Sequence, residues 1–119
     1  MGEPQPEWGL VALTDDLQQL SRDLSQLAWE FGQEARGWSV PNARDQLAEL
    51  QAHLTTWAQE AALASAQGDY WHRFDAFQLA LHRRAAARAS LRRWWEKGEL
   101  WNSHRLRPMP ASIRKEWER

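Results

Sequence analysis

The sequence has no cysteine and no long apolar run. The lack of cysteine excludes disulfide scaffolds, thiolate nucleophiles and cysteine-ligated zinc. No stretch approaches the roughly 18 apolar residues that a membrane-spanning helix needs. The first residues, MGEPQPEW, have neither the basic start nor the apolar segment of a signal peptide. We therefore expect one small cytoplasmic domain that does not enter a membrane.

Residues that favour β-strands are scarce, and familiar catalytic motifs are absent. The chain contains two valines and one isoleucine, so no strand is predicted. No nucleophile elbow, phosphate-binding glycine loop or HExxH motif occurs. Asp69, His72 and Asp75 are spaced like metal ligands on a helix face, but a capping role for Asp69 explains the same residues. We expect no catalytic residues, no metal, no cofactor and no small-molecule substrate.

Large apolar residues recur three and four residues apart in two seams. The first seam contains Leu13, Leu17, Leu20, Leu24, Leu27 and Phe31, and the second contains Val40, Ala43, Leu47, Leu50, Leu54, Trp57, Ala61 and Ala64. This coiled-coil-like spacing predicts two helices that pack antiparallel across a short turn. The other faces of the second helix are rich in alanine, which favours close approach of a third helix. These alanines are Ala48, Ala52, Ala58, Ala62 and Ala66.

The predicted fold is all-α, an antiparallel bundle of three long heptad-patterned helices followed by a short C-terminal helix. The expected segments are an extended arm over 1–9, the bundle over 10–98, and a connector with a short amphipathic helix over 99–119. Thr14 is a candidate cap of the first helix. An earlier start near Glu7 is also open, because Leu10 fits the same seam.

Charge is distributed unevenly along the chain. Residues 1–69 contain eleven acidic and three basic residues, a formal charge of −8. Residues 70–119 contain twelve basic and five acidic residues, a formal charge of +7. Two interpretations stay open. Either the acidic helices neutralise the basic third helix within the bundle, or part of the basic surface contacts an anionic partner.

The third helix combines an arginine stripe with tryptophans. Arg84, Arg88 and Arg92 share one helix face at 100° per residue. The candidate residues for binding nucleic acid or another partner are Arg83, Arg84, Arg88, Arg92, Arg93, Lys97, Trp94 and Trp101. Guanidinium groups bind phosphates bidentately and indoles stack on unpaired bases, so the combination predicts contact with single-stranded nucleic acid. Contact with a protein and pairing within the chain are the alternatives.

Nine tryptophans in 119 residues are unusually many, and some lie off the helix seams. Trp29 lies roughly 150° from its seam, and Leu63 lies on the far side of the second helix. With Trp117 in the tail, these residues form the candidate protein interface. Either the tail folds back over them, or they contact a partner protein or a second copy.

The sequence therefore predicts a non-catalytic small helical subunit or adaptor of a larger assembly, which contacts nucleic-acid backbone through its third helix. One alternative is a protein-binding regulator or inhibitor that uses tryptophans as anchors. Another is a homo-oligomeric structural protein.

Overall fold

The described part of the chain folds into four α-helices. The computed structural model describes residues 7–101 and 108–117. The helices are α1 (Glu7–Arg36), α2 (Pro41–Ala64), α3 (Tyr70–Trp101) and α4 (Ala111–Trp117). No strand occurs among these residues. The predicted all-α fold, with three long packed helices and a short C-terminal helix, is confirmed.

The central element of the bundle is α1, which contacts both other long helices. The fully buried side chains of its seam are Leu17, Leu24, Leu27 and Phe31. Burial of such a side chain contributes on the order of 1.5–3 kcal/mol. α2 runs antiparallel to α1, and the Ser21 hydroxyl donates a hydrogen bond to the carbonyl of Ala58 at 2.7 Å. The heptad pattern therefore identifies the main contact of the fold.

The third helix packs mainly along α1 and meets α2 along one edge only. The predicted approach of α3 to the alanine faces of α2 is therefore wrong for most of those alanines. Ala58 is buried, whereas four others are exposed: Ala48, Ala52, Ala62 and Ala66. Leucine-sized side chains bury more apolar area than alanine, which favours α1 as the contact surface for α3. The resulting bundle is flat, with dimensions of 59 × 30 × 19 Å.

One helix end matches an alternative that the sequence left open, and another lies beyond its expected boundary. α1 begins at Glu7, the earlier of the two predicted starts, and the Thr14 hydroxyl donates to the carbonyl of Leu10 inside the helix. α3 continues past Gly98 to Trp101. Gly98 is buried, so packing of the backbone at this position outweighs the roughly 1 kcal/mol that a glycine costs in a helix.

The turn between α2 and α3 is held by polar contacts. Gly68 has a φ of +82°, a conformation that favours glycine. The backbone N–H of His72 donates to Oδ1 of Asp69 at 2.9 Å, as the predicted capping role requires. Nε of Arg73 donates to the carbonyls of Gln67 and Gly68, each at 3.2 Å. These contacts fix the direction in which α3 leaves the turn.

Candidate functional site

Two arginines of the predicted nucleic-acid face connect α3 to its neighbours. Arg84 pairs with Asp23 of α1, with Nη1 of the arginine 2.6 Å from Oδ2 of the aspartate. Arg83 pairs with Glu60 of α2, and its guanidinium carbon lies 4.9 Å from the ring centroid of Trp57. Both contacts join the basic half of the chain to the acidic half. They support the interpretation in which the helices neutralise one another.

The other candidate basic residues of α3 differ in exposure and in their contacts. Nε of Arg92 donates to Glu96 of the same helix at 3.0 Å. Arg88 is half-buried, while Arg93 and Lys97 are exposed. The ammonium of Lys97 lies 5.3 Å from the centroid of the Trp94 ring.

Trp94, predicted to bind a partner, is partly buried and packs against the core. Its ring meets Trp38 edge-on, with centroids 5.4 Å apart, and both residues belong to the core or pack against it. Trp38 lies in the turn two residues after the end of α1 and brings an aromatic ring to the side of α3. The helix periodicity did not reveal this contact, because Trp38 lies in the turn outside any heptad. The side chains of Trp101 and Trp117 lie outside the described residues.

Trp29 and Leu63 are exposed, as their off-seam positions predict. They do not form one patch. Trp29 lies in the C-terminal part of α1, whereas Leu63 lies near the end of α2, which runs in the opposite direction. Trp71, at the start of α3, is also exposed and contacts the rings of Tyr70 and Phe74.

The C-terminal segment packs back onto the bundle beside Trp29. Ile113 of α4 is fully buried in the core, and Met109 packs against it. α4 contacts α3, and Ser112 contacts Glu30 of α1. The segment therefore covers part of this end of the bundle but leaves Trp29 58 % exposed.

A cleft of about 410 Å³ lies between α1 and residues 108–114, and we call it the tail cleft. Its apolar lining consists of Trp29, Trp95, Pro108, Met109, Pro110 and Ala111. Its polar lining consists of Gln26, Glu30, Gln33, Glu34 and Arg114. This volume is within the roughly 300–1,000 Å³ typical of ligand sites, and a mainly apolar lining with a few polar groups is typical of them too.

Two acids of the tail cleft are buried, which the sequence did not predict. Glu30 is 3 % exposed and Glu34 is 4 % exposed. Oε2 of Glu34 accepts a hydrogen bond from Nε1 of Trp38 at 2.9 Å. Glu30 accepts bonds from Ser112, with the hydroxyl at 2.9 Å from Oε2. Both acids lie off the leucine seam and therefore resemble solvated residues until the tail and the turn cover them.

No candidate metal centre or membrane segment appears among the residues that the structure describes. Within them, no three histidine, aspartate or glutamate side chains are grouped in a way that could hold a metal ion. None of the described helices has both the length and the apolar character needed to cross a bilayer. No protein-family model, no curated protein and no solved structure matches this chain.

Proposed function

We propose that the protein is a non-catalytic helical adaptor that binds a partner protein through the tail cleft, with Trp29 as an aromatic anchor. The observation that carries this proposal is that Trp29, which lines the cleft together with Trp95, is left 58 % exposed. Tryptophan is enriched among the residues that dominate binding energy in protein interfaces. Apolar clefts with a few fixed polar groups suit the insertion of a side chain from a partner.

The pairing of the arginines also favours this version over the nucleic-acid version. Arg83 and Arg84 each contact an acid of another helix. A phosphate would have to replace Asp23 or Glu60, and breaking a partly buried ion pair leaves a desolvated charge behind. The tail cleft requires no such exchange, because Trp29 is already exposed.

Selection of binding peptides from a display library, with the full chain as bait, tests the proposal. We expect Trp29→Ala to lower the affinity for the selected peptides at least about tenfold, as is typical of a tryptophan that dominates the binding energy. Trp71→Ala is the matched control, because Trp71 is 59 % exposed and lies at the start of α3, far along the bundle from Trp29. Binding that survives Trp29→Ala, or that falls equally in both variants, would overturn the proposal.

Nucleic-acid contact is the second candidate function. Arg93 and Lys97 are exposed, and Arg92 pairs with an acid of its own helix at a partly exposed position. A titration with short single-stranded RNA and DNA, followed by tryptophan fluorescence at about 50 and about 200 mM salt, tests it. Quenching that collapses at the higher salt and disappears in Arg84→Glu/Arg88→Glu/Arg92→Glu would support this function. An unchanged signal at both salt concentrations would remove it.

A further inference from the structure

Among the residues that the structure describes, the hydrogen-bond partners of Glu30 are neutral. Its Oε2 accepts from the Ser112 hydroxyl at 2.9 Å and from Nε2 of Gln26 at 3.3 Å. The backbone N–H of Ser112 lies 3.3 Å from each of the two carboxylate oxygens. A carboxylate offers about four acceptor sites, so Oε1 keeps acceptor capacity for another donor. Buried carboxylates are usually paired with a cation, which makes this neutral surrounding unusual.

The charged groups around the tail cleft favour a cationic ligand. Its described lining contains Glu30, Glu34 and one base, Arg114. Both acids are buried, whereas Arg114 is exposed. Water screens an exposed charge more strongly than a buried one, so the buried Glu30 outweighs the exposed Arg114 in the potential inside the cleft.

The aromatic lining favours a guanidinium over an ammonium. Trp29 and Trp95 both line the cleft, and indole rings attract cations through their faces. A guanidinium is planar, stacks on aromatic rings and donates two parallel hydrogen bonds to a carboxylate. An ammonium is compact and strongly hydrated, so it gains less from an apolar cleft.

The chain itself contains this combination at another place. Trp57 and Glu60 lie three residues apart on α2 and receive Arg83 from α3, with the guanidinium against the indole ring and paired with the carboxylate. Trp29 and Glu30 are adjacent on α1, about 100° apart around the helix, and both line the tail cleft, so an indole and a carboxylate also meet at a surface open to solvent.

We propose that the tail cleft binds the guanidinium group of an arginine presented by the partner protein. This inference rests on the proposed function, because it names the chemistry of the partner at the same site. The arginine side chain enters between Trp29 and the C-terminal segment, and its guanidinium donates to Oε1 of Glu30. The apolar part of the side chain contacts Trp95 and Met109.

Indole N–H NMR spectra of the full chain provide the test, with N-acetylarginine amide as the probe. We expect a saturable shift of the Trp29 resonance and no shift of Trp71. N-acetylcitrulline amide, which has nearly the same shape without the charge, should bind at least about tenfold more weakly, because a hydrogen bond to a charged group is lost. N-acetyllysine amide should also bind more weakly than the arginine probe.

The Glu30→Gln variant should bind the arginine probe at least about tenfold more weakly. Glu49→Gln is the control, because it makes the same change at an exposed acid of α2. If Glu30→Gln disturbs the fold, Trp29→Ala replaces it and should cause a similar loss. Equal binding of the arginine and citrulline probes, or the absence of a Trp29 shift, would overturn the inference.

The same experiments separate this inference from the proposed function. Selected peptides that need Trp29 but tolerate citrulline in place of each arginine would overturn the inference and leave the proposed function standing. Selected peptides that bind independently of Trp29 would overturn the proposed function.

Discussion

The ion pair between Arg84 and Asp23 allows a quantitative test of whether the arginine stripe belongs to the bundle. Its two side chains are each 25 % exposed. At an effective dielectric constant near 20, two charges about 4 Å apart attract by about 4 kcal/mol, and desolvation and side-chain ordering offset much of this energy. Fully exposed pairs contribute about 0.2–1 kcal/mol. We expect a coupling free energy of about 1–2 kcal/mol, between these limits.

A double-mutant cycle measures this coupling. Arg84→Ala, Asp23→Ala and the double variant are compared with the original chain by urea unfolding, which gives a free energy of unfolding for each. The matched control is the pair of Arg92 and Glu96, which is more exposed and lies within one helix. Its coupling should be about 0.3–0.5 kcal/mol, and salt should reduce it more strongly.

The reasoning fails if the coupling of Arg84 with Asp23 is no larger than that of Arg92 with Glu96. In that case Arg84 would contribute little to the contact between α3 and α1. A phosphate could then engage Arg84 without a cost in stability, and the nucleic-acid version of the function would gain weight.

Substitutions at four further residues test the structure. Gly32→Ala should stabilise the chain by about 0.5–1 kcal/mol in urea unfolding, because the added Cβ meets only the movable end of Gln51. Gly68→Ala should destabilise it by about 1 kcal/mol or more, because φ is positive at this residue. If both substitutions changed the free energy of unfolding in the same direction, both arguments would be contradicted. Asp69→Ala should lower the free energy of unfolding by about 1 kcal/mol because the helix cap is lost, whereas Asp69→Asn should lower it much less. Equal decreases in the two variants would refute the capping role. Ile113→Ala should weaken the docking of α4 by about 2 kcal/mol or more, and hydrogen exchange should become faster in α4 while its rate in α1 stays unchanged. An equal increase in both helices would refute the idea that α4 docks separately.

The contact between α1 and α2 could be predicted because the heptad spacing of their apolar residues determines it. The seam from Leu13 to Phe31 repeats at heptad spacing, and a helix with such a seam must bury it. The cap at Asp69 and the glycine at Gly68 were predictable for a similar reason, since each depends on neighbouring residues alone. Local and periodic signals can be recognised without knowing which elements meet.

The placement of the third helix and its tryptophans required more information. Trp94 was predicted from the sequence to face a partner, whereas in the structure it packs against the core and its ring meets Trp38 edge-on. Likewise, the charges of the two chain halves allowed either internal pairing or a partner. The choice between these depends on which acid lies opposite Arg84, and that follows from the packing of α3 along α1.

The tail cleft was beyond prediction because it lies on a face of α1 that flanks the leucine seam and contains mainly polar residues. Gln26, Trp29, Glu30, Gln33 and Glu34 share that face through spacings of three and four residues. By composition the face resembles a solvated surface interrupted by one tryptophan. It becomes a cleft only because Ile113 anchors α4 in the core and brings Ser112 to Glu30. The same docking buries the acid and forms the wall opposite Trp29, so the proposed site depends on a short helix whose contacts are fewer than those of the bundle. Binding of a partner in the cleft would therefore also stabilise the docked tail, since both use the same surfaces.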